Sequence, residues 1–104
     1  MIGWSGFKLI RDVVNGHSNY YDLGYRFRRE FWGRGYATES AKAMVAYGFE
    51  QMKLEKIYAI ADVSNLDSQK VLQKCGLNQI ETFSYDGIPH YWFELRNPAL
   101  HLTL

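Results

Sequence analysis

Trp32-Gly33-Arg34-Gly35-Tyr36-Ala37-Thr38-Glu39-Ser40 is a glycine-spaced loop that runs directly into an amphipathic segment. Glycine at 33 and 35 permits left-handed backbone angles and lets a ligand approach the main chain closely. The first turn of the helix that follows leaves N–H groups without intrahelical partners, and the helix dipole adds about half a positive charge at that end. Such a junction is an anion cradle, suited to phosphate or pyrophosphate. Taken alone, the same residues also describe a loop that only caps a helix, so the flanking chain has to decide.

Downstream of the loop, Ala37, Ala41, Met44, Val45, Gly48 and Met52 recur at helical spacing while Glu39, Lys42, Glu50 and Lys53 fall elsewhere, which predicts a helix of about 15 residues. Its small inner residues allow close packing against a sheet. Residues 56–63 are apolar on both faces, as in a central strand under helices. Asn65-Leu66-Asp67-Ser68 supplies cap chemistry for a shorter helix that carries Val71, Leu72 and Cys75 on one side and stops at Gly76. Residues 77–84 and 88–96 then read as strands joined at Tyr85-Asp86-Gly87, and Pro98 ends the second.

Upstream, residues 2–10 and 20–27 read as two strands of a hairpin with a long connection, turned at Asn15-Gly16. In the second strand Tyr21, Leu23, Tyr25 and Phe27 share one face, and Asp22, Gly24 and Arg26 the other. Gly24 marks a bulge or the close approach of a ligand. The expected order is β-β-α-β-α-β-β, an α/β (α+β) fold with a mostly antiparallel sheet of about five strands and two helices. The glycine loop falls at the first turn of its β-α-β crossover.

A chain of 104 residues makes one domain, 1–104. With 47% hydrophobic residues it lies outside the disordered class. A net charge of +1 gives no general case for nucleic acid or an anionic membrane as partner. Locally, Arg26, Arg28, Arg29 and Arg34 crowd the loop with only Glu30 opposing, either for an anionic ligand or as a solvated basic face. The single cysteine, Cys75, excludes an internal disulfide, fits a reducing compartment and reads as a core thiol. Residues 1–10 lack the basic start of a signal peptide, and no run approaches the ~18 apolar residues of a membrane span. The expectation is a soluble, cytoplasmic protein.

A dinucleotide fingerprint fits the loop poorly, because Thr38 stands where a small residue is needed and Glu55 precedes the strand that it should end. No Gly-Lys-Ser/Thr follows the glycines, so a P-loop is excluded as well. His17, His90 and His101 are scattered and Cys75 has no partner at ligand spacing, so no metal is expected.

Taken with Asn65-x-x-Ser68-x-x-Val71-Leu72-x-Lys74-x-Gly76-Leu77 and Asp22-Leu23-Gly24-Tyr25, the glycine loop resembles that of the GNAT acyltransferase superfamily. The likeness is greatest to the branch of ribosomal-protein N-terminal acetyltransferases and their antibiotic- and amine-acetylating relatives. The resemblance implies an N-acetyltransferase that uses acetyl-CoA, without metal. It implies that main-chain N–H groups of Gly33, Arg34, Gly35, Tyr36, Ala37 and Thr38 bind the CoA pyrophosphate. Trp32 departs from the usual Gln or Arg and is given no phosphate contact. Phe27 and Arg28 would hold the pantetheine arm by strand-like bonds, with Asn65 and Ser68 nearer the thioester.

The implied reaction is attack of a neutral amine on the thioester carbonyl. An α-amino group near pKa 7.8 is about one-seventh neutral at pH 7, and a lysine near 10.4 only about once in 2,500, so a strong base matters mainly for lysine-like acceptors. Asp22 matches the position of the family's strand-borne acid and is the expected proton acceptor, or else a surface carboxylate paired with an arginine. Ser68 is the expected proton donor to the thiolate, or else only a cap. Tyr85, Asp86 and His90 are weaker acceptor-side candidates.

Family members carry further strands and two helices before the segment matched here, so the chain corresponds to the C-terminal portion of the usual fold. Either the acceptor wall is missing or the chain rebuilds it. Residues 2–10 are expected as a bare edge strand with Trp4 and Phe7, which predicts a homodimer. The acceptor would be a peptide N-terminus or a small amine. The reading from a different class is a CoA-binding remnant without turnover, acting as a regulatory or interaction module.

Overall fold

The computed structural model describes residues 3–27 and 35–98, with side chains over 6–24 and 35–98. Along the chain run β1 (Gly3–Ile10), β2 (Tyr20–Phe27), α1 (Tyr36–Glu50), β3 (Lys56–Asp62), α2 (Leu66–Lys74), β4 (Asn78–Tyr85) and β5 (Ile88–Arg96). The strands form one sheet in the order β1-β2-β3-β5-β4. Only β2 and β3 are parallel, and α1 supplies the crossover that a parallel pair requires. Their register sets Asp22 opposite Tyr58. The antiparallel pair β3 and β5, in contrast, stays in register from Lys56 opposite Arg96 to Asp62 opposite His90.

Alternation along β3 builds the core. Ile57, Ala59 and Ala61 point to one face and join Leu23 and Phe93 under Ala37 and Ala41 of α1 and Val71 and Leu72 of α2. Small residues let α1 lie close: a Cβ added at Gly48 would stand 2.8 Å from Cζ of the Phe7 ring. Phe7 is therefore partly buried beneath α1, although β1 is an outer strand. This corrects the expectation that Phe7 lies on a bare edge; the side chain of Trp4 falls outside those described.

β3 is central and lies under helices on one face, as expected; the other face of the sheet carries Tyr20, Tyr58 and Trp92, and among the described residues no helix covers it. What crosses this face is the β1–β2 connection, residues 11–19, which folds over as a strap. Asn15 and Gly16 turn it with φ of 50° and 78°. Val14 and His17 exchange backbone hydrogen bonds of 2.8 and 2.9 Å across that turn. The His17 ring stacks on Trp92 at 4.7 Å and 15°, and Asn15 Nδ2 donates to Glu81 Oε1 on β4. The strap thus spans from β2 to the far edge of the sheet. Beneath it Trp92 is fully buried, with its indole N–H donating to Glu94 at 3.1 Å.

At the base, buried Asn97 donates through Nδ2 to the Leu54 carbonyl at 3.0 Å and through its backbone N–H to Glu55 at 2.8 Å. The last strand is thereby fastened to the α1–β3 turn. The element order is the one expected from the sequence, with β3 ending at Asp62 and β4 beginning at Asn78.

Candidate functional site

α1 begins at a left-handed residue. Gly35 has φ 81° and ψ −2°, and an added Cβ there would meet nothing within 4 Å. Glycine is needed at 35 for its backbone angle, not for space. Among the described residues no side-chain cap is seen at the helix start, and the backbone bond there runs from the Glu39 N–H to the Gly35 carbonyl at 3.0 Å. The amides of Ala37 and Thr38 therefore point out of the helix end. The Ala37 methyl is buried in the core, while the Tyr36 ring is 39% exposed. Arg28, Gly33 and Arg34 lie outside the described residues. Phe27 closes β2 opposite Gly3, and its side chain is outside those described.

At α2 the cap is Asn65, whose Oδ1 accepts from the Ser68 N–H at 3.1 Å. The N-cap residue of α2 is thus Asn65, with Ser68 in the first turn three residues on. Ahead of Asn65, Asp62 Oδ1 accepts from both the N–H and the hydroxyl of Ser64 at 2.8 Å. Those two bonds, the backbone one first, hold the Asp62 carboxyl below the usual range. Gln69 Nε2 donates to the Asp62 and Val63 carbonyls at 3.1 and 3.0 Å, so the segment from the end of β3 into α2 is clasped to itself. Cys75 Sγ lies 3.9 Å from the Thr38 carbonyl, a contact that sets the end of α2 beside the start of α1. Burial pushes this thiol up, away from nucleophile behaviour.

Asp22 lies on the opposite face of the sheet, in the floor of a cleft of about 360 Å³. Tyr20 and Ile60 share the floor, Ile10 and Val14 come from β1 and the strap, and Tyr85 closes in from the β4–β5 hairpin. Oδ1 of Asp22 is sealed from solvent without a hydrogen-bond partner among the described residues. Burial pushes the carboxyl up to about 7, with Lys8, its neighbour across the β1–β2 ladder, pulling the other way. The same burial, with the charge of Asp22 added, pushes Tyr20 up to about 12. Among the described residues no arginine shifts the Asp22 carboxyl, and the side chains of Arg26, Arg28, Arg29 and Arg34 lie outside those described.

Of the weaker candidates, His90 has its Nδ1 2.9 Å from the Ile88 carbonyl, so that nitrogen donates and carries the proton. Its ring meets that of Tyr85 at 5.4 Å. Asp86 holds the left-handed turn of the hairpin at φ 53° and is exposed. Among the described residues no group of three or more possible metal ligands occurs, and no helix is long and apolar enough to cross a membrane. The strap is the component that sequence reasoning missed. Asn15-Gly16 announced its turn, but no local pattern announces a landing on β4 and β5.

Residues 1–78 match the acetyltransferase (GNAT) domain family. FsC-acetyl coenzyme A-N(2)-transacetylase of Aspergillus fumigatus is 40% identical over 70 residues, which are 65% of this chain and 30% of that protein. The uncharacterised N-acetyltransferase YnaD of Bacillus subtilis is 35% identical over 77 residues, 71% of this chain and 45% of its own. A GNAT-family acetyltransferase from Bacillus anthracis overlays with a TM-score of 0.77 at 26% identity, covering 92% of this chain and 58% of that one. The chain spans less than two thirds of the length of each of these relatives. A sequence matching that family through its first 78 residues, folded into a sheet that overlays a solved member, belongs to the GNAT acetyltransferase family.

Proposed function

We propose that this chain forms the donor-binding and proton-accepting part of an N-acetyltransferase, which moves the acetyl group of acetyl-CoA to an amine. The observation that carries the reading is Asp22: a carboxyl held near neutrality in a cleft floor, on the strand that leads to the glycine-started helix. The helix start suits the donor, since a first turn with no side-chain cap among the described residues, behind a left-handed glycine, offers outward amides and a positive dipole end to a pyrophosphate. When bound, acetyl-CoA supplies the activated carbonyl and the thiol leaving group.

The tasks of the protein residues follow from their chemistry. Amides from Gly33 to Thr38 hold the phosphates, and the main chain of Phe27 and Arg28 holds the pantetheine arm. Asn65 commits Oδ1 to its cap, so a contact with the arm comes through Nδ2. Asp22 takes the proton of the attacking amine, directly or through one water, and a base near pKa 7 is matched to that task at neutral pH. The Ser68 hydroxyl, in the first turn of α2, donates a hydrogen bond to the departing sulfur and relays a proton from water to it, regaining its own, and a thiolate of pKa about 8.5 needs no stronger donor. A homodimer in the cytoplasm belongs to the same reading, supported by the outer position of β1 and by the single cysteine.

Structural neighbours of this fold are named for acceptors as different as kanamycin and the ribosomal-protein-S5 alanine, so the fold does not choose among amines. Acetyl-CoA at millimolar concentration is expected to raise the melting temperature. Gly35→Glu abolishes that rise, whereas Gly87→Glu, equally left-handed at φ 77° and equally open, keeps it. A wild-type chain that shows no rise overturns the reading. Binding without any acetylated product from a panel of peptides and amines would instead mark a CoA-binding module without turnover.

A further inference from the structure

We infer that the acceptor taken by this cleft is a small monoamine with an apolar body, its ammonium group at Asp22 and its carbon skeleton beneath the strap. The inference rests on the acceptor-side role given to Asp22 above and narrows it to a substrate class. Enclosure is the first ground. The cleft is walled by the strap on one side and Tyr85 on the other, and the strap is fastened at two points, Asn15 on Glu81 and His17 on Trp92. Its volume of about 360 Å³ lies at the small end of the ~300–1,000 Å³ typical of small-molecule sites.

Charge and polarity narrow the occupant further. Asp22 stands in the floor with one oxygen sealed and without a hydrogen-bond partner among the described residues, and an arriving ammonium adds a cation on its cleft side to the more distant charge of Lys8. The exposed rim holds Lys8 and Arg11 against the one carboxylate of Asp12. A second cationic group on the ligand meets that rim at a like-charge cost, which disfavours polyamines and aminoglycosides. A peptide N-terminus fails for another reason. Its following peptide units would lie against Ile10, Val14 and Ile60 for part of the wall, and only Tyr20, Tyr85 and the charged rim are placed to pair their N–H and C=O groups.

The test is equilibrium binding to the full chain, at about pH 8 so that Asp22 is ionised. Phenethylamine is compared with spermidine and with a short peptide bearing a free N-terminus, by calorimetry or ligand-observed NMR. Phenethylamine is expected to bind at least ~10-fold more tightly than either, a margin that like-charge or unpaired-polar costs readily supply. Val14→Gln puts an uncharged amide into the apolar part of the wall without touching the backbone bonds of the turn. It is expected to weaken phenethylamine about 10-fold while the thermal shift with acetyl-CoA persists. Spermidine or peptide binding as tightly as phenethylamine overturns the inference, as does a wild-type chain that binds no phenethylamine or a Val14→Gln chain that binds it unchanged. Since the readout is amine binding, a chain that ignores acetyl-CoA yet binds phenethylamine upholds the monoamine site and overturns the transfer reaction, so the two readings fail separately.

Discussion

Burial suits Asp22 to the proton-accepting role proposed for it and makes it a burden on the fold. Its folded pKa, about 7, stands above the ordinary 3.8, so between those values the native state binds more protons than the unfolded chain. Stability from this group is therefore full below the unfolded value and is lost as pH rises through 7. Asp22→Asn removes the loss, and denaturant unfolding at pH 8 should find the variant more stable than wild type by on the order of 2–4 kcal/mol, the gain shrinking toward pH 4. The same substitution is expected to lower kcat by about 10²–10⁴-fold while acetyl-CoA still binds. A variant that is less stable at pH 8, or that turns over normally, would remove Asp22 from its role. Asp22 itself was legible, as an acid on the polar face of a strand. Its proton affinity was not, because the residues that bury it come from β1, the strap, β3 and the β4–β5 hairpin.

At the scale of elements, what could be read from the sequence was what repeats locally. Period-2 alternation fixed β2, helical spacing fixed α1, and Asn15-Gly16 and Asp86-Gly87 both form the left-handed turns that such pairs favour. The strap escaped because its two anchors are long-range: Asn15 and Glu81 are 66 positions apart. Its worth can be measured. His17→Ala removes a ring stacked on Trp92 and is expected to cost about 0.5–1.5 kcal/mol in thermal unfolding, with a red-shifted tryptophan emission as Trp92 gains solvent. Unchanged emission and stability would mean that the strap does not cover the sheet in solution. The loop from Trp32 to Arg34 was the stretch from which the fold was read, yet it lies outside the described residues. Gly35, at its end, carries the left-handed angle that the loop was read as needing.

For the whole molecule, the two outer strands differ. α1 shields one face of β1 through Phe7, whereas β4 is exposed along nearly all its length and leaves Ile80 54% accessible. Unpaired edges invite pairing, and a homodimer joined along β1 is the expected assembly. Light scattering at micromolar concentration should return twice the mass of the chain. A strictly monomeric mass sinks that expectation and leaves the edges to other protection. Family and element order were legible at this scale because two helix starts and an acidic strand stand at characteristic separations. The wall over the cleft was not, since it depends on how a connecting segment crosses a finished sheet.

The hydrogen bond from Asn15 to Glu81 also governs how the protein ages. An asparagine followed by glycine is the pair most open to attack by the next backbone nitrogen on the side-chain amide, which expels ammonia to form a cyclic imide that water then opens to aspartate or isoaspartate. At position 15 that slow chemistry replaces a donor with a carboxylate facing the carboxylate of Glu81. Attraction becomes repulsion, and the strap loses its hold on the far edge of the sheet. Stored samples should therefore accumulate an acidic form on isoelectric focusing, and that fraction should behave like a freshly made Asn15→Asp variant, with Trp92 more accessible to quenchers. An acidic form as well shielded as fresh protein would show that His17 alone keeps the strap closed. Shelf life, on this account, is written into one turn of the chain.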